Sequence, residues 1–259
     1  MSRLESSFKT GHKALISYLT VGYPSLEATR RAALILASAG CDIIELGIPF
    51  SDPLADGATI QKASYQALTQ GVTPPACLEL AGELHQKIAT PLVFMSYYNP
   101  VLSFGLEAFC RASARAGVAG LIVPDLPPEE GGELEISTRQ YDLDLIYLLT
   151  PASTEERISL VAERSRGFIY LVSLTGVTGA RNSLPAALEA FVGRVRQITQ
   201  KPLCVGFGVS GPEEARRVAK VADGVIVGSR LLELISEDAS LALLKKVVLS
   251  LRQALDYDY

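Results

Sequence analysis

The run Ile43-Ile44-Glu45-Leu46-Gly47-Ile48-Pro49-Phe50-Ser51-Asp52-Pro53-Leu54-Ala55-Asp56-Gly57 holds a strand, a broken loop and the entrance to a helix. Ile43, Ile44, Leu46 and Ile48 are apolar and mostly β-branched, as in a strand buried on both faces. Pro49, Pro53, two aspartates and Gly57 break regular structure, and a helical pattern starts near Ala58. Glu45 does not fit a buried strand. An unpaired carboxylate among apolar neighbours is costly, and its pKa rises until it keeps a proton near neutrality. A general acid/base needs that shift. Asp56, in the polar loop, ionises more readily. Two carboxylates in unlike surroundings near one strand end suit an acid/base pair. Each also has a plain structural reading: Glu45 satisfying a buried Arg or backbone group, Asp56 capping the helix at Ala58.

The same strand–loop–helix unit recurs along the chain. Strands are expected at 14–20, 42–48, 91–97, 120–124, 143–149, 168–173, 202–206 and 224–227. Helices are expected at 26–39, 59–69, 76–89, 106–116, around 129–141, and at 154–165, 184–199, 212–222, 230–235 and 241–255. Ser25 and Gly40 serve as cap and stop of the first of these, and a short leading helix ends within 6–11. Strict alternation implies a parallel sheet. Eight units in about 250 residues fit an α/β fold, the closed (β/α)8 TIM barrel, with extra helices at the N-terminus, after strand 2 and at the C-terminus. A doubly wound open sheet is the alternative, but the first strand lacks the glycine-rich turn of a dinucleotide-binding unit. No linker or low-complexity segment interrupts the pattern, so residues 1–259 are expected to form one domain.

Composition narrows the function. The chain has 259 residues, is 48% hydrophobic and carries a formal net charge of −4 without a basic run. Nucleic acid is not an expected partner. No apolar run reaches the ~18 residues of a membrane helix, and the polar Met1-Ser2-Arg3-Leu4-Glu5 lacks a signal-peptide core. Cys41, Cys77, Cys110 and Cys204 are far apart and have no adjacent His. They are expected to be reduced, small hydrophobes of a cytoplasmic protein, and no metal site is expected. The two histidines, His12 and His85, lie away from the strand ends. Proton transfer therefore falls to carboxylates or tyrosine.

In a barrel of this kind the chemistry sits at the C-terminal strand ends. Two of the loops there are long: 47–57, and Leu174-Thr175-Gly176-Val177-Thr178-Gly179-Ala180-Arg181-Asn182-Ser183, whose glycines and hydroxyls suit either a lid or a mobile surface loop. Strand seven ends in Gly206-Phe207-Gly208-Val209-Ser210, and strand eight in Gly228-Ser229-Arg230 at a helix start. Glycine backbone and a helix N-terminus together suit a phosphate. Tyr18, Tyr97 and Tyr170 lie in or near strands and are candidates either for pocket walls or for ordinary core aromatics.

These residues resemble the tryptophan synthase alpha chain family. The resemblance is complete over Ile44 to Gly57, the family's signature around its catalytic Glu, and continues in Tyr97-Tyr98-Asn99-Pro100, Val123-Pro124-Asp125-Leu126-Pro127, Gly176-Val177-Thr178-Gly179, Gly206-Phe207-Gly208 and Gly228-Ser229. It implies a (β/α)8 barrel that cleaves indole-3-glycerol phosphate to indole and glyceraldehyde 3-phosphate by a retro-aldol reaction. It implies that Glu45 protonates indole C3 and helps remove the glycerol hydroxyl proton, and that Asp56 accepts a hydrogen bond from the indole N–H. By the same resemblance Tyr170, Tyr97, Phe207 and Thr178 line the substrate, and Gly179, Gly208, Gly228 and Ser229 hold the phosphate. The segment 174–183 would close over the site. The family works as an α2β2 complex in which indole passes to the beta chain. Pyridoxal phosphate is expected on that partner and no cofactor in this chain, with Asp52, Pro53 and Asn99 at the contact. Ala58, where Pro is common, and Leu174-Thr175 depart from the family pattern without touching these groups.

Other phosphate-binding barrels, such as indole-glycerol-phosphate synthases, would share the glycines of strands seven and eight but not the run from Glu45 to Asp56. The synthases also use strand-end lysines, which this chain lacks. The alternative from another class is a non-catalytic alpha-like chain that activates a beta subunit.

Overall fold

The computed structural model describes residues 2–172, 186–206 and 208–256. The strands are β1 (Ala14–Thr20), β2 (Ile43–Gly47), β3 (Leu92–Met95), β4 (Val118–Ile122), β5 (Asp144–Ile146), β6 (Leu148–Leu149), β7 (Ile169–Val172), β8 (Leu203–Gly206) and β9 (Gly224–Val227). They pair in parallel in the order β5-β4-β3-β2-β1-β9-β8-β7-β6. The two edge strands are halves of one strand, parted only by Tyr147, so the sheet returns to its own start as a barrel. The expected fifth strand at 143–149 is these two pieces.

Alternation along the strands builds two layers. Ala14, Ile16, Ile43, Val93, Ile122, Ile146, Phe168, Cys204 and Ile226 fill the barrel. Leu4 and Phe8, on either side of a 3-10 turn at Glu5–Ser7, plug its lower end, with the Phe8 and Phe168 ring centroids 5.9 Å apart. Leu15, Leu19, Ile44, Leu46, Phe94, Leu171, Val205 and Val225 point outward into a larger core shared with the helices.

That outer ring consists of α1 (Leu26–Ser38), α2 (Ala58–Thr69), α3 (Pro74–His85), α4 (Tyr98–Phe104), α5 (Leu106–Arg115), α6 (Gly132–Gln140), α7 (Glu155–Arg164), α8 (Ala186–Ile198), α9 (Pro212–Ala219), α10 (Ser229–Glu237) and α11 (Ala242–Asp256). Ser25 caps α1 by accepting from Ala28 N at 3.1 Å, and Gly40 stops it at φ +91°. The extra helices after β2 and at the C-terminus are present, and the expected leading helix is only the short 3-10 turn at Glu5–Ser7.

One helix was not expected. In α4 the local sequence Tyr97-Tyr98-Asn99-Pro100 offers no local side-chain cap. The cap comes from a distant loop instead: Asp125 Oδ1 accepts from Tyr98 N at 2.8 Å. Pro100 then lies in the first turn, where its missing N–H costs little, and Gly105 ends the helix at φ +93°.

Candidate active site

Glu45 lies mid-strand on β2, beside Tyr18 of β1 and Val93 of β3. Its alternation with Ile43 points it into the barrel. It is fully buried, and neither carboxylate oxygen has a hydrogen-bond partner among the described residues. The plain reading, a Glu satisfying a buried Arg or backbone group, finds no support there. Burial alone pushes its carboxyl up to about 8.

Asp56 sits where the loop from β2 enters α2. It does not cap that helix: the N-cap is Gly57, without a side-chain bond. Its carboxyl faces inward instead. Burial raises it to about 6, and the Tyr97 hydroxyl, bonded to it, pulls it partly back. The Tyr97 phenol oxygen also accepts from Ala55 N at 2.8 Å. The Tyr97 ring stacks on Phe50, centroids 5.2 Å apart at 29°. Phe50 is in turn held by Ser64 of α2, whose hydroxyl accepts from Phe50 N at 2.9 Å and donates to Phe50 O at 3.1 Å. The loop carrying Asp56 is therefore tied at both ends to rigid elements.

Two more tyrosines face the same space. Burial, and then nearby carboxylates, hold both phenols well above their usual range: Asp56 and Glu45 for Tyr18, Glu45 and Asp56 for Tyr170. Thr20 donates to the Tyr18 phenol oxygen at 3.2 Å. Glycines make the room. A Cβ at Gly47 would fall 2.1 Å from the Tyr18 oxygen, and one at Gly206 would fall 2.8 Å from the Tyr170 ring. At Gly228 a Cβ would only touch the Tyr18 Cβ, at 3.4 Å, so no such clash arises there. Some strand-end glycines thus have a steric duty toward the pocket as well as any toward an anion.

Gly208 adopts φ +47°, and Gly228 is the N-cap of α10, with Ser229 its first residue. Leu231 N donates back to Gly228 O at 2.8 Å, which leaves the N–H groups of Ser229 and Arg230 without an acceptor inside the helix. Phe207, Thr178, Gly179 and the whole 174–183 segment lie outside the described residues. Asp52 and Asn99 are exposed and Pro53 is half-buried, on the loop and on α4 that Tyr97 joins. Leu54, which follows Pro53 in that loop, is 92% exposed. Among the described residues no group of His, Cys, Asp or Glu is placed to hold a metal ion, and no helix is long and apolar enough to cross a membrane. Sequence reasoning missed Gly47 and Phe50 as parts of the site. Gly47 was within reach, because residue i+2 from an inward Glu45 must also face inward.

The model of a protein family described as tryptophan synthase alpha chain matches residues 4–254. A tryptophan synthase alpha chain from Dehalococcoides mccartyi is 56% identical, over 99% of this chain and 100% of that one.

The chain belongs to the tryptophan synthase alpha chain family.

A second alpha chain, from Geobacter sp. strain M21, is 50% identical over 90% of this chain and 89% of its own length. Among solved structures, a tryptophan synthase from Mycobacterium tuberculosis superposes with a TM-score of 0.92 at 40% identity, covering 98% of both chains. A structure from Aquifex aeolicus gives 0.91 at 41% identity, covering 98% of this chain and 99% of that one. Tryptophan synthase alpha chains are lyase subunits of L-tryptophan biosynthesis. Their alpha reaction, which this chain carries, cleaves indole-3-glycerol phosphate to indole and glyceraldehyde 3-phosphate. Nothing in these likenesses favours a non-catalytic chain.

Proposed function

We propose that Glu45 and Asp56 carry the retro-aldol cleavage, with opposite charge states at neutral pH. The observation that carries this reading is the full burial of Glu45 without a hydrogen-bond partner for either carboxylate oxygen among the described residues; burial pushes that carboxyl up to about 8, and the less enclosed Asp56 only to about 6. At pH 7 Glu45 is thereby held on the protonated side and Asp56 on the ionised side. Glu45 is then an acid and Asp56 an acceptor.

The steps balance. Asp56 accepts a hydrogen bond from the indole N–H and stabilises the positive charge that develops on the ring. Glu45 gives its proton to indole C3. The Glu45 carboxylate takes the proton of the side-chain hydroxyl next to C3. The O–H electrons become the aldehyde C=O, the C3–C bond breaks, and its electrons restore the neutral indole. Glu45 ends protonated, as it began. Tyr97 orients Asp56, Tyr170 walls the reacting carbons with Phe207 and Thr178, and Gly179, Gly208, Gly228 and Ser229 hold the phosphate.

The exposed Leu54, Asp52 and Asn99, with Pro53, support a contact with a beta chain in an α2β2 tetramer, where pyridoxal phosphate belongs to the partner. Residues 1–259 form one domain, and the enzyme is cytoplasmic. The experiment is the pH profile of indole release. It rises as Asp56 ionises near pH 6 and falls as Glu45 loses its proton near pH 8. A rate that keeps rising through pH 8 would remove Glu45 as the acid.

A further inference from the structure

The barrel has one seam, where β5 ends and β6 begins. On that side β7, the strand that carries Tyr170, is paired only through Leu148 with Tyr170 and Leu149 with Leu171. Tyr147 stands in the gap, belongs to neither strand and is 2% exposed. Each of its polar groups has a partner. Its carbonyl accepts from Tyr170 N at 3.1 Å. Its N–H donates to Ser165 Oγ at 3.1 Å, and that hydroxyl donates to Phe168 O at 2.8 Å. Tyr147 is thus tied to β7 directly at Tyr170, and through Ser165 to the residue just before that strand.

The side chain points out of the barrel and is anchored there. Its hydroxyl donates to Glu135 Oε1 at 2.8 Å. Glu135, 6% exposed, pairs with Arg164 Nε at 2.7 Å and with Arg139 at 3.3 Å. Arg164 also donates to Pro128 O. A Cβ at Gly131 would fall 1.8 Å from the Tyr147 oxygen, so the site is built to admit this phenol. Hydrogen bonds to a charged acceptor are the stronger kind, and this one is buried. Nothing in the alpha reaction uses these groups. They face away from the substrate.

We propose that Tyr147, held by Glu135, is a positioning residue that sets the height and angle of Tyr170 in the pocket. The inference rests on the reading of Tyr170 as a wall of the reacting carbons. A peg outside the barrel fixes the seam, the seam fixes β7, and β7 presents the ring opposite Glu45.

The test is steady-state indole release by the full chain carrying Tyr147→Phe, Tyr170→Ala or both, with Glu135→Gln alongside. Tyr147→Phe loses the peg, so kcat falls about fivefold while KM for indole-3-glycerol phosphate stays within about twofold. Glu135→Gln keeps an acceptor for the phenol and holds kcat within about twofold of the parent. Its unfolding temperature nevertheless drops further than that of Tyr147→Phe, because the arginine pairs are lost. The double variant is no slower than Tyr170→Ala alone, since the peg has nothing left to position. Three results overturn the proposal: parental kcat in Tyr147→Phe, losses that multiply in the double variant, or kcat that follows unfolding temperature across the set. Parental kcat in Tyr170→Ala instead removes the reading of Tyr170 on which the proposal rests. Should Tyr147→Phe not fold, Ser165→Ala cuts the backbone tie and must reproduce the kcat loss.

Discussion

Replacing Glu45 by Gln is expected to stabilise the protein relative to the parent by an amount that grows as the pH rises. The carboxyl titrates at its ordinary value, 4.5, when the chain is unfolded and at about 8 when it is buried in the barrel. Between those values the folded state holds a proton that the unfolded state has released. Below pH 4.5 both states are protonated and Glu45 costs nothing on this account. From there to pH 8 the penalty on the folded state grows by about 1.4 kcal/mol per pH unit. Above pH 8 both states are ionised, and the penalty levels off at roughly 3–5 kcal/mol. A glutamine of similar shape has no such dependence. Asp56, whose raised pKa works in the same direction, is present in both proteins and cancels in the difference. The chain has no Trp, so urea unfolding is followed by far-ultraviolet circular dichroism at half-unit steps from pH 4.5 to 9. The account predicts that the stability of Glu45→Gln minus that of the parent climbs with pH and flattens near pH 8. Parallel stability curves would mean that Glu45 is not buried unpaired, and the acid assignment would lose its physical basis.

Two further variants probe the surroundings. Tyr97→Phe removes the hydroxyl bond that lowers the Asp56 pKa, so the low-pH limb of the indole-release profile moves to higher pH by about half a unit to one unit. An unmoved limb would detach Tyr97 from Asp56. Gly206→Ala puts a Cβ 2.8 Å from the Tyr170 ring. The ring must shift, and overpacking costs about 1–3 kcal/mol. We expect a lower unfolding temperature together with a drop of roughly tenfold in kcat/KM, and an unchanged kcat/KM would show that the placement of that ring does not matter.

The barrel was legible because its signal is repeated. Each unit pairs a short run of β-branched and apolar residues with a longer amphipathic one, and a closed parallel sheet buries both faces of every strand. The expected β1 at 14–20 and β9 at 224–227 agree with the structure residue for residue. Misplaced features depend on distant partners. The α4 helix takes its cap from Asp125, twenty-seven residues away, and Tyr147, where the expected fifth strand divides, bonds to Glu135, a contact that no local pattern announces. Glu45 stood out because a carboxylate in an apolar strand is a local contradiction. The glycines that end strands seven and eight read in the sequence as anion contacts, and Gly47 carries no such signal. Their role in admitting Tyr18 and Tyr170 appears only when the strands are side by side, as in the pairing that sets Gly47 beside Thr20.

The most direct test of the central claim is indole release from indole-3-glycerol phosphate by Glu45→Gln, measured at pH 7 beside the parent. Far-ultraviolet circular dichroism at the same pH checks that both are folded. General acid–base catalysis by a positioned side chain is worth roughly 10²–10⁴ in rate. The account predicts a loss of that size in kcat with little change in KM. A folded Glu45→Gln protein that releases indole at the parental rate would contradict it.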